Sequence, residues 1–375
     1  MEIKVIASTK PYEQVDVGEL TLFGGKLAGI CYMNSEFEDI INEDVEKTLK
    51  RAKMTLDLGH HSIYDHLQLT LLFKGIPKII AMVLNNEKFY TTSEKSARYT
   101  RMNISGVEAA MYDKWLNIIE GLIHKAYPDI PDKLAEKLAM ENARYMISVF
   151  TPTTLAYTTS LRQLNYIIRM MESFVDTWEN TDFYIKVKDE LKKFIKVIKD
   201  MGLYVEGLDY NVKGRKLSLF SNNENEKELF GEVYSAFYNC SFAMLAQAQR
   251  HRTLWYTMKL NEKNIKFFVP LIVTIFEKDE EWIRDIRSLA ELYPQGTLVR
   301  VNERGTKEAF LLKCTERLCG KAQWEIVNNT AELYHKYMDN IGEPAKCAKA
   351  RCRLFKMQCK DRCFFGSSLA LYRII

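Results

Sequence analysis

The apolar positions near the start of the chain predict a short strand, Ile3 to Ser8, followed by helical spacing. Asn42 is a good capping residue, Gly59 a good terminator, and Val45, Leu49, Ala52 and Leu56 between them define one apolar helix face. Leu67 to Phe73 is rich in strand formers, and Pro77 suits the first turn of a helix through about Leu84. From Val107 to about Met201 the spacing is mostly helical, broken at Pro128 to Pro131 and at Thr151 to Thr154. Gly202 to Asn225 is rich in Gly, Asn and charge, which predicts a connection. The order then starts again: Glu232 to Asn239 predicts a strand, Ser241 a cap, and Phe242 to Arg252 a helix. The class is α+β or α/β with much helix. The recurrence predicts a duplication, with repeat one over 1–205, repeat two over 206–340 and a tail over 341–375.

With 375 residues, 47% of them hydrophobic, the chain can fill a substantial core. Lys and Arg number 53 against 49 Asp and Glu, too small an excess to mark a nucleic-acid binder. No apolar run approaches the roughly 18 residues that span a bilayer, and the N-terminus lacks a leader pattern, so a soluble cytoplasmic protein is expected, without membrane association. The eight cysteines are expected to be reduced. Cys347, Cys352, Cys359 and Cys363 cluster in a basic tail with Lys346, Lys349, Arg351, Arg353, Lys356, Lys360 and Arg362. Four thiolates at the spacing x4, x6, x3 can hold zinc or an iron–sulfur cluster, but the intervals are irregular for a zinc knuckle and no metal site is predicted.

Gln247, Arg250, His251 and Arg252 form the densest polar cluster, at the end of a predicted helix. Two arginines around a histidine offer many donors for a phosphate or a flavin edge. Alone, the triplet better fits a cationic helix terminus interacting with its own dipole. In repeat one the corresponding positions are Asn86, Glu87 and Lys88, but the residues that follow, Glu94, Ser96, Ala97, Arg98 and Tyr99, are polar where repeat two has Met258, Leu260 and Glu262. Repeat one also carries Gly59-His60-His61-Ser62-Ile63-Tyr64-Asp65-His66, Ser160 and Arg162. Repeat two instead carries Arg300, Arg317 and Ala322-Gln323-Trp324-Glu325-Ile326, where repeat one has Thr154 and Met171 at the arginine positions.

Together these segments resemble the flavin-dependent thymidylate synthases, whose signature runs from Arg-His-Arg to a serine followed by x-Arg-Tyr. The two ends of that signature are divided between the repeats, as are the family's Gly-His-x-Ser/Thr-x-x-Glu-His and Ala-Gln-Trp-Glu segments. The resemblance implies an α+β fold of two such repeats, each a mixed sheet with several helices. It implies methylation of dUMP to dTMP, with methylene-tetrahydrofolate giving the carbon, FAD the hydride and NADPH the reducing power. The family is homotetrameric and shares residues between subunits, so a duplicated chain is expected to form a homodimer with one composite site per chain and one decayed site.

By the same resemblance, Arg317 would act on the base as the catalytic residue, and Gln247, Arg250, Glu94, Ser96, Ala97, Arg98 and Arg300 would bind the nucleotide. His60, Ser62, Ser160, Arg162, Arg250, His251 and Arg252 would face the flavin. Two departures stand out. The family's Ala-Arg-Val-Ser-Phe appears as Ala28-Gly29-Ile30-Cys31-Tyr32, and its late histidine is Lys321. Hydroxymethyl transfer, action on another pyrimidine such as dCMP, or a nucleotide-binding paralogue without turnover would keep most of the same residues. Nucleic-acid binding through the tail is the weakest reading. Gly342, Pro344, Cys347, Cys352, Lys356, Met357 and Cys359 resemble the tail of some bacterial members.

Overall fold

The computed structural model describes residues 1–9, 17–208, 214–221, 227–343, 348–359 and 363–375. In chain order they form β1 (Glu2–Ser8), α1 (Val17–Tyr32), α2 (Phe37–Ile41), α3 (Val45–Asp57), β2 (Gln68–Pro77), α4 (Lys78–Leu84), β3 (Thr91–Glu94), α5 (Gly106–Ala126), α6 (Asp132–Ala143), β4 (Pro152–Ser160), α7 (Leu161–Thr177) and α8 (Asp182–Asp200). Then come β5 (Leu229–Phe230), β6 (Val233–Ser241), α9 (Phe242–Ala248), β7 (Trp255–Lys259), α10 (Leu271–Ile275), α11 (Asp279–Ser288), β8 (Leu298–Thr306), α12 (Lys307–Arg317), α13 (Trp324–Asn340), α14 (Arg351–Leu354) and α15 (Gly366–Leu369).

The α+β class holds, and the recurrence is plain. One sheet is ordered β1-β2-β4-β3 and the other β5-β6-β8-β7. The ladders between these strands are all antiparallel, where a mixed sheet was the expectation. Each second strand runs into a short helix, each last strand into two long ones. β4 and β8 start at 152 and 298 and end at 160 and 306, an offset of 146 at both ends.

Packing divides these residues into two compact units. Unit 1 comprises Met1–Lys95 with Pro152–Ser218, and unit 2 comprises Ser96–Thr151 with Leu219–Ile375. The helical pair α5–α6 of the first repeat therefore packs in unit 2, against the second repeat's α10 and α11. Trp115 of α5 meets Trp282 of α11 edge-on at 4.8 Å, and its indole N–H donates to the Asp285 carboxylate at 3.0 Å. An isolated antiparallel bridge joins Ser148 to Pro294. These positions are equivalents at the same offset of 146 (148 + 146 = 294), the pairing that a local two-fold relation produces.

Unit 1 differs from its sequence expectation in three places. Asp44, not Asn42, caps α3, its carboxylate accepting from the backbone of Glu46 and Lys47. The buried face of that helix is Thr48, Ala52 and Thr55, while Val45 and Leu49 are about half exposed. The cause is Gly25 on α1: a Cβ there would lie 2.8 Å from the Thr48 carbonyl oxygen, so the helices meet through small residues too closely to admit the leucine face. Third, the break at Thr151 to Thr154 opens a strand, β4. Its alternating Leu155 and Tyr157 are fully buried, which helical spacing conceals over so short a run. Behind β2 and β4, Phe73 packs on Phe194 of α8 at 5.6 Å.

Candidate functional site

In unit 2 the Ser241 hydroxyl caps α9 by accepting the Met244 N–H at 3.0 Å, and the helix ends at Ala248 rather than at Arg252. Arg250, His251 and Arg252 consequently lie in the turn beyond it. His251 is buried, and its Nε2 accepts a hydrogen bond from Arg317 Nε at 2.6 Å. An imidazole that accepts at Nε2 is neutral and carries its proton on Nδ1. Burial, reinforced by the charges of Arg317 and Lys313, holds its pKa down at about 2.

Arg317 stands at the last position of α12. Burial lowers its pKa, and the nearby charges of Arg98 and Arg250 lower it further. Arg98, from the first repeat, and Arg250, from the second, thus each lie within electrostatic reach of Arg317 in unit 2. Such repulsion is costly until an anion arrives. Arg98 is held by Glu141, whose carboxylate accepts from Nε at 2.5 Å, and by the Lys321 carbonyl at 3.1 Å. Arg250 is exposed, and among the described residues no ion pair restrains it. Ser96 turns the chain into Arg98, its hydroxyl accepting the Arg98 N–H at 3.3 Å, and Ala97 packs against the cluster of Met102, Tyr112 and Ile147.

The Ala-Gln-Trp-Glu segment accounts for the rigidity of this corner. Buried Glu325 accepts from both the Ser241 N–H (2.8 Å) and hydroxyl (2.6 Å), and from Tyr145 Oη at 2.8 Å. Gln323 accepts from Gln247 Nε2 at 2.8 Å and from Arg144, and donates to Tyr145. This fixes the amide of Gln247, whose Oε1 is buried with no hydrogen-bond partner among the described residues. A buried acceptor left open points to a ligand donor. The orienting roles of Glu141, Gln323 and Tyr145 escape sequence reasoning, because Glu141 and Tyr145 are ordinary helix-end residues until the fold brings them here.

Arg300 is placed elsewhere. It alternates with Val299 and Val301 along β8 and lies over the Phe237 ring at 5.2 Å, on the face of the sheet opposite Glu303 and its partner Lys313. Within this chain the structure does not bring Arg300 to Arg317. Arg252 is exposed.

In unit 1 the flavin-side candidates gather around one carboxylate. Asp65, which replaces the family's glutamate, accepts from Ser160 Oγ at 2.8 Å and pairs with Arg162 at 2.8 Å. Ser160 in turn caps α7 through the Gln163 N–H, so the shorter acid is matched to the start of a helix. Arg162 Nε is buried without a hydrogen-bond partner among the described residues. His60 and Ser62 are exposed on the 3-10 turn, whereas His61 is buried between Leu56 O and Tyr166 Oη. Glu94, also in unit 1, accepts from Lys78 at 2.6 Å. At the departure from the family's arginine, a Cβ on Gly29 would meet Ile40 at 2.6 Å and the Arg51 guanidinium at 3.1 Å. Arg51, tied to Glu43, therefore takes up the space that a side chain at position 29 would need.

No group of three or more His, Cys, Asp or Glu that could hold a metal ion exists among the described residues. Cys347 and Pro344 lie outside the described residues. Among the described residues no helix is long and apolar enough to cross a membrane.

Residues 25–195 match the model of the family described as Thy1, thymidylate synthase complementing protein. Over 187 residues the chain is 25% identical to a flavin-dependent thymidylate synthase of Clostridium tetani, covering 44% of this chain and 75% of that protein. These matches support membership of the flavin-dependent thymidylate synthase family, the resemblance that the motifs carry. Among solved structures, thymidylate synthase X from Helicobacter pylori with FAD and dUMP is similar at a TM-score of 0.33 and 16% identity, over 56% of this chain and 100% of that one. A UMP/dUMP methylase from Streptomyces cacaoi bound with 5-Br dUMP is similar at 0.32 and 15%, over 54% and 96%.

Proposed function

We propose that the chain is a FAD-dependent one-carbon transferase that converts dUMP to dTMP with methylene-tetrahydrofolate and NADPH, using one composite site. What supports this reading is that the charges of Arg98 and Arg250 both reach Arg317, which donates to the backbone carbonyl of Gln247, the residue whose side-chain Oε1 is left open. Arg250 and Arg98 hold the phosphate and sugar, with Ser96 and Ala97 shaping the approach. Gln247 Oε1 accepts an N–H of the base. Carbon 5 of uracil is a weak nucleophile, and its reaction throws negative charge onto the ring oxygens. Arg317, half desolvated and locked by neutral His251, is already oriented to stabilise that charge. Arg300, on the other face of its sheet, serves the site of a second copy in a homodimer.

The residues of unit 1 fit a flavin. Arg162 keeps an unsatisfied buried Nε beside Asp65, and His60 and Ser62 present exposed donors. When bound, FAD supplies the hydride for reduction of the transferred carbon. His60, Ser62, Ser160 and Arg162 would hold it. Asp65 positions Arg162 rather than neutralising an empty site.

The test is reconstitution with FAD followed by release of tritium from carbon 5 of labelled dUMP, with folate and NADPH present. Release that depends on Arg317 is expected. Failure to take up flavin, or nucleotide binding with no product from any folate, would overturn the enzymatic reading. Product from dCMP but not dUMP would move the substrate while keeping the site.

A further inference from the structure

The spacing of the tail directs attention to Cys347, Cys352, Cys359 and Cys363, but the fold assembles a different set. In unit 2 a cavity of about 350 Å³ is lined by Cys319, Cys352, Cys359 and Cys363, with Lys321 and Arg351 also on its wall. Cys319 comes from the turn after α12, two residues beyond Arg317, and the others come from the tail. All four are free thiols. Cys363 Sγ lies against Gly320, where a Cβ would be only 3.0 Å away, and Cys319 Sγ accepts the Lys321 N–H at 3.5 Å. Beside them Arg373 is buried and donates to the carbonyls of Gly320 and Ala322.

We propose that Cys319, Cys352, Cys359 and Cys363 bind an iron–sulfur cluster. Four thiols lining one partly open cavity, with Cys359 at its exposed side, favour a soft metal centre. A lone zinc ion would need three or four of them at a single point, and no such group exists among the described residues. A polynuclear cluster removes that requirement, because its irons are bridged by sulfide and share the cysteines, so that the thiolates stand around the cluster instead of around one ion. Its net negative charge is met by Arg373, Arg351 and Lys321, and the backbone N–H on Cys319 is a contact that cluster sulfurs commonly take. The cavity also adjoins the run from Cys319 to Gln323, whose far end orients Gln247. This inference stands whether or not the chain methylates dUMP.

The full-length chain is purified without oxygen and reconstituted with ferrous iron and sulfide, then assayed for iron, acid-labile sulfide and, after dithionite reduction, electron paramagnetic resonance. About two to four irons per chain with matching sulfide are expected. The Cys352→Ser/Cys359→Ser double variant should lose iron, sulfide and signal, and so should Cys319→Ser, while Cys31→Ser in unit 1 keeps them. Circular dichroism of each variant establishes that it has folded. A Cys319→Ser variant that folds but retains a full cluster would overturn the proposal, as would one zinc per chain without sulfide or no iron above the level of the double variant.

Discussion

The turns after α4 and α9 occupy the same place in the two repeats, yet one holds Asn86, Glu87 and Lys88 and the other Arg250, His251 and Arg252. Each central residue is buried, and in each burial favours the neutral form, in opposite directions of pKa. His251 is neutral because burial and two cations push its pKa down to about 2. Glu87 is half neutral at pH 7 because burial pushes its pKa up to about 7. His251 receives the guanidinium of Arg317, the residue proposed to act on the base. Glu87 receives the N–H of Ser218 at 2.6 Å and its hydroxyl at 2.9 Å, from the connection between the repeats. The chain thus closes upon its own turn in unit 1 and leaves the equivalent turn in unit 2 open to an anion. One backbone geometry is the proposed site in one repeat and a structural joint in the other.

The largest expected effect breaks the comparison on the side of repeat two. Arg317→Ala removes the cation beside the base and leaves His251 Nε2 without its donor, and tritium release should fall by about 100- to 1,000-fold. Dichroism and melting should stay close to those of the parent chain, because relief of repulsion from Arg98 and Arg250 offsets the lost hydrogen bond. Arg250→Ala should weaken dUMP binding by about tenfold or more, the scale of one charge-assisted hydrogen bond. Asn86→Ala, at the matching position of repeat one, should leave that affinity unchanged in the same titration. Equal losses from Arg250→Ala and Asn86→Ala would contradict the assignment of one open and one closed turn.

The two buried groups also pull stability in opposite directions as pH changes. Glu87 binds a proton more tightly folded than unfolded, so its contribution is fully present below about 4.5 and is lost as pH rises through about 7. His251 binds its proton more weakly when folded, so its contribution is present above about 6.5 and is lost as pH falls towards about 2. Between about 4.5 and 6.5 the slopes have opposite sign and roughly equal size, near 1.4 kcal/mol per pH unit, and cancel. Glu87→Gln should uncover the histidine slope, with urea midpoints falling faster in acid than those of the parent. His251→Gln should uncover the opposite slope. The difference between these two variants across the window is on the order of 5 kcal/mol. Parallel pH curves for both variants would show that the groups do not titrate in this way.

Much of this contrast was legible in the residues. Gln247, Arg250 and His251 stand out as charged and amide side chains at a helix end against small apolar neighbours, whereas Arg98 and Arg317 are named only by the resemblance to the family's divided signature. The α+β class and the second start of the strand–helix order were legible for the same reason, since strand and helix periods differ. What the sequence conceals are relations set by packing. The face of α3 was misread because Gly25, distant in the chain, determines which residues can approach it. The strand β4 was hidden in helical surroundings. Asp65 looked like a loss from the family pattern, yet it anchors both Ser160 and Arg162. Cys319, separated from the tail by α13, joins its cysteines only in three dimensions.

The smallest effect isolates the closure itself. Ser218→Ala removes the hydroxyl that Glu87 and Asn86 share but keeps the backbone N–H on the carboxylate. A single lost hydrogen bond to a group that is charged part of the time costs about 1 kcal/mol. Because the hydroxyl favours the ionised carboxylate, the cost should be greater at pH 8 than at pH 5, and should shrink in a Glu87→Gln background. A double-mutant cycle in urea at both pH values measures that coupling. Coupling independent of pH would mean that Ser218 only fills space, and that the turn of repeat one is closed by packing rather than by its charge.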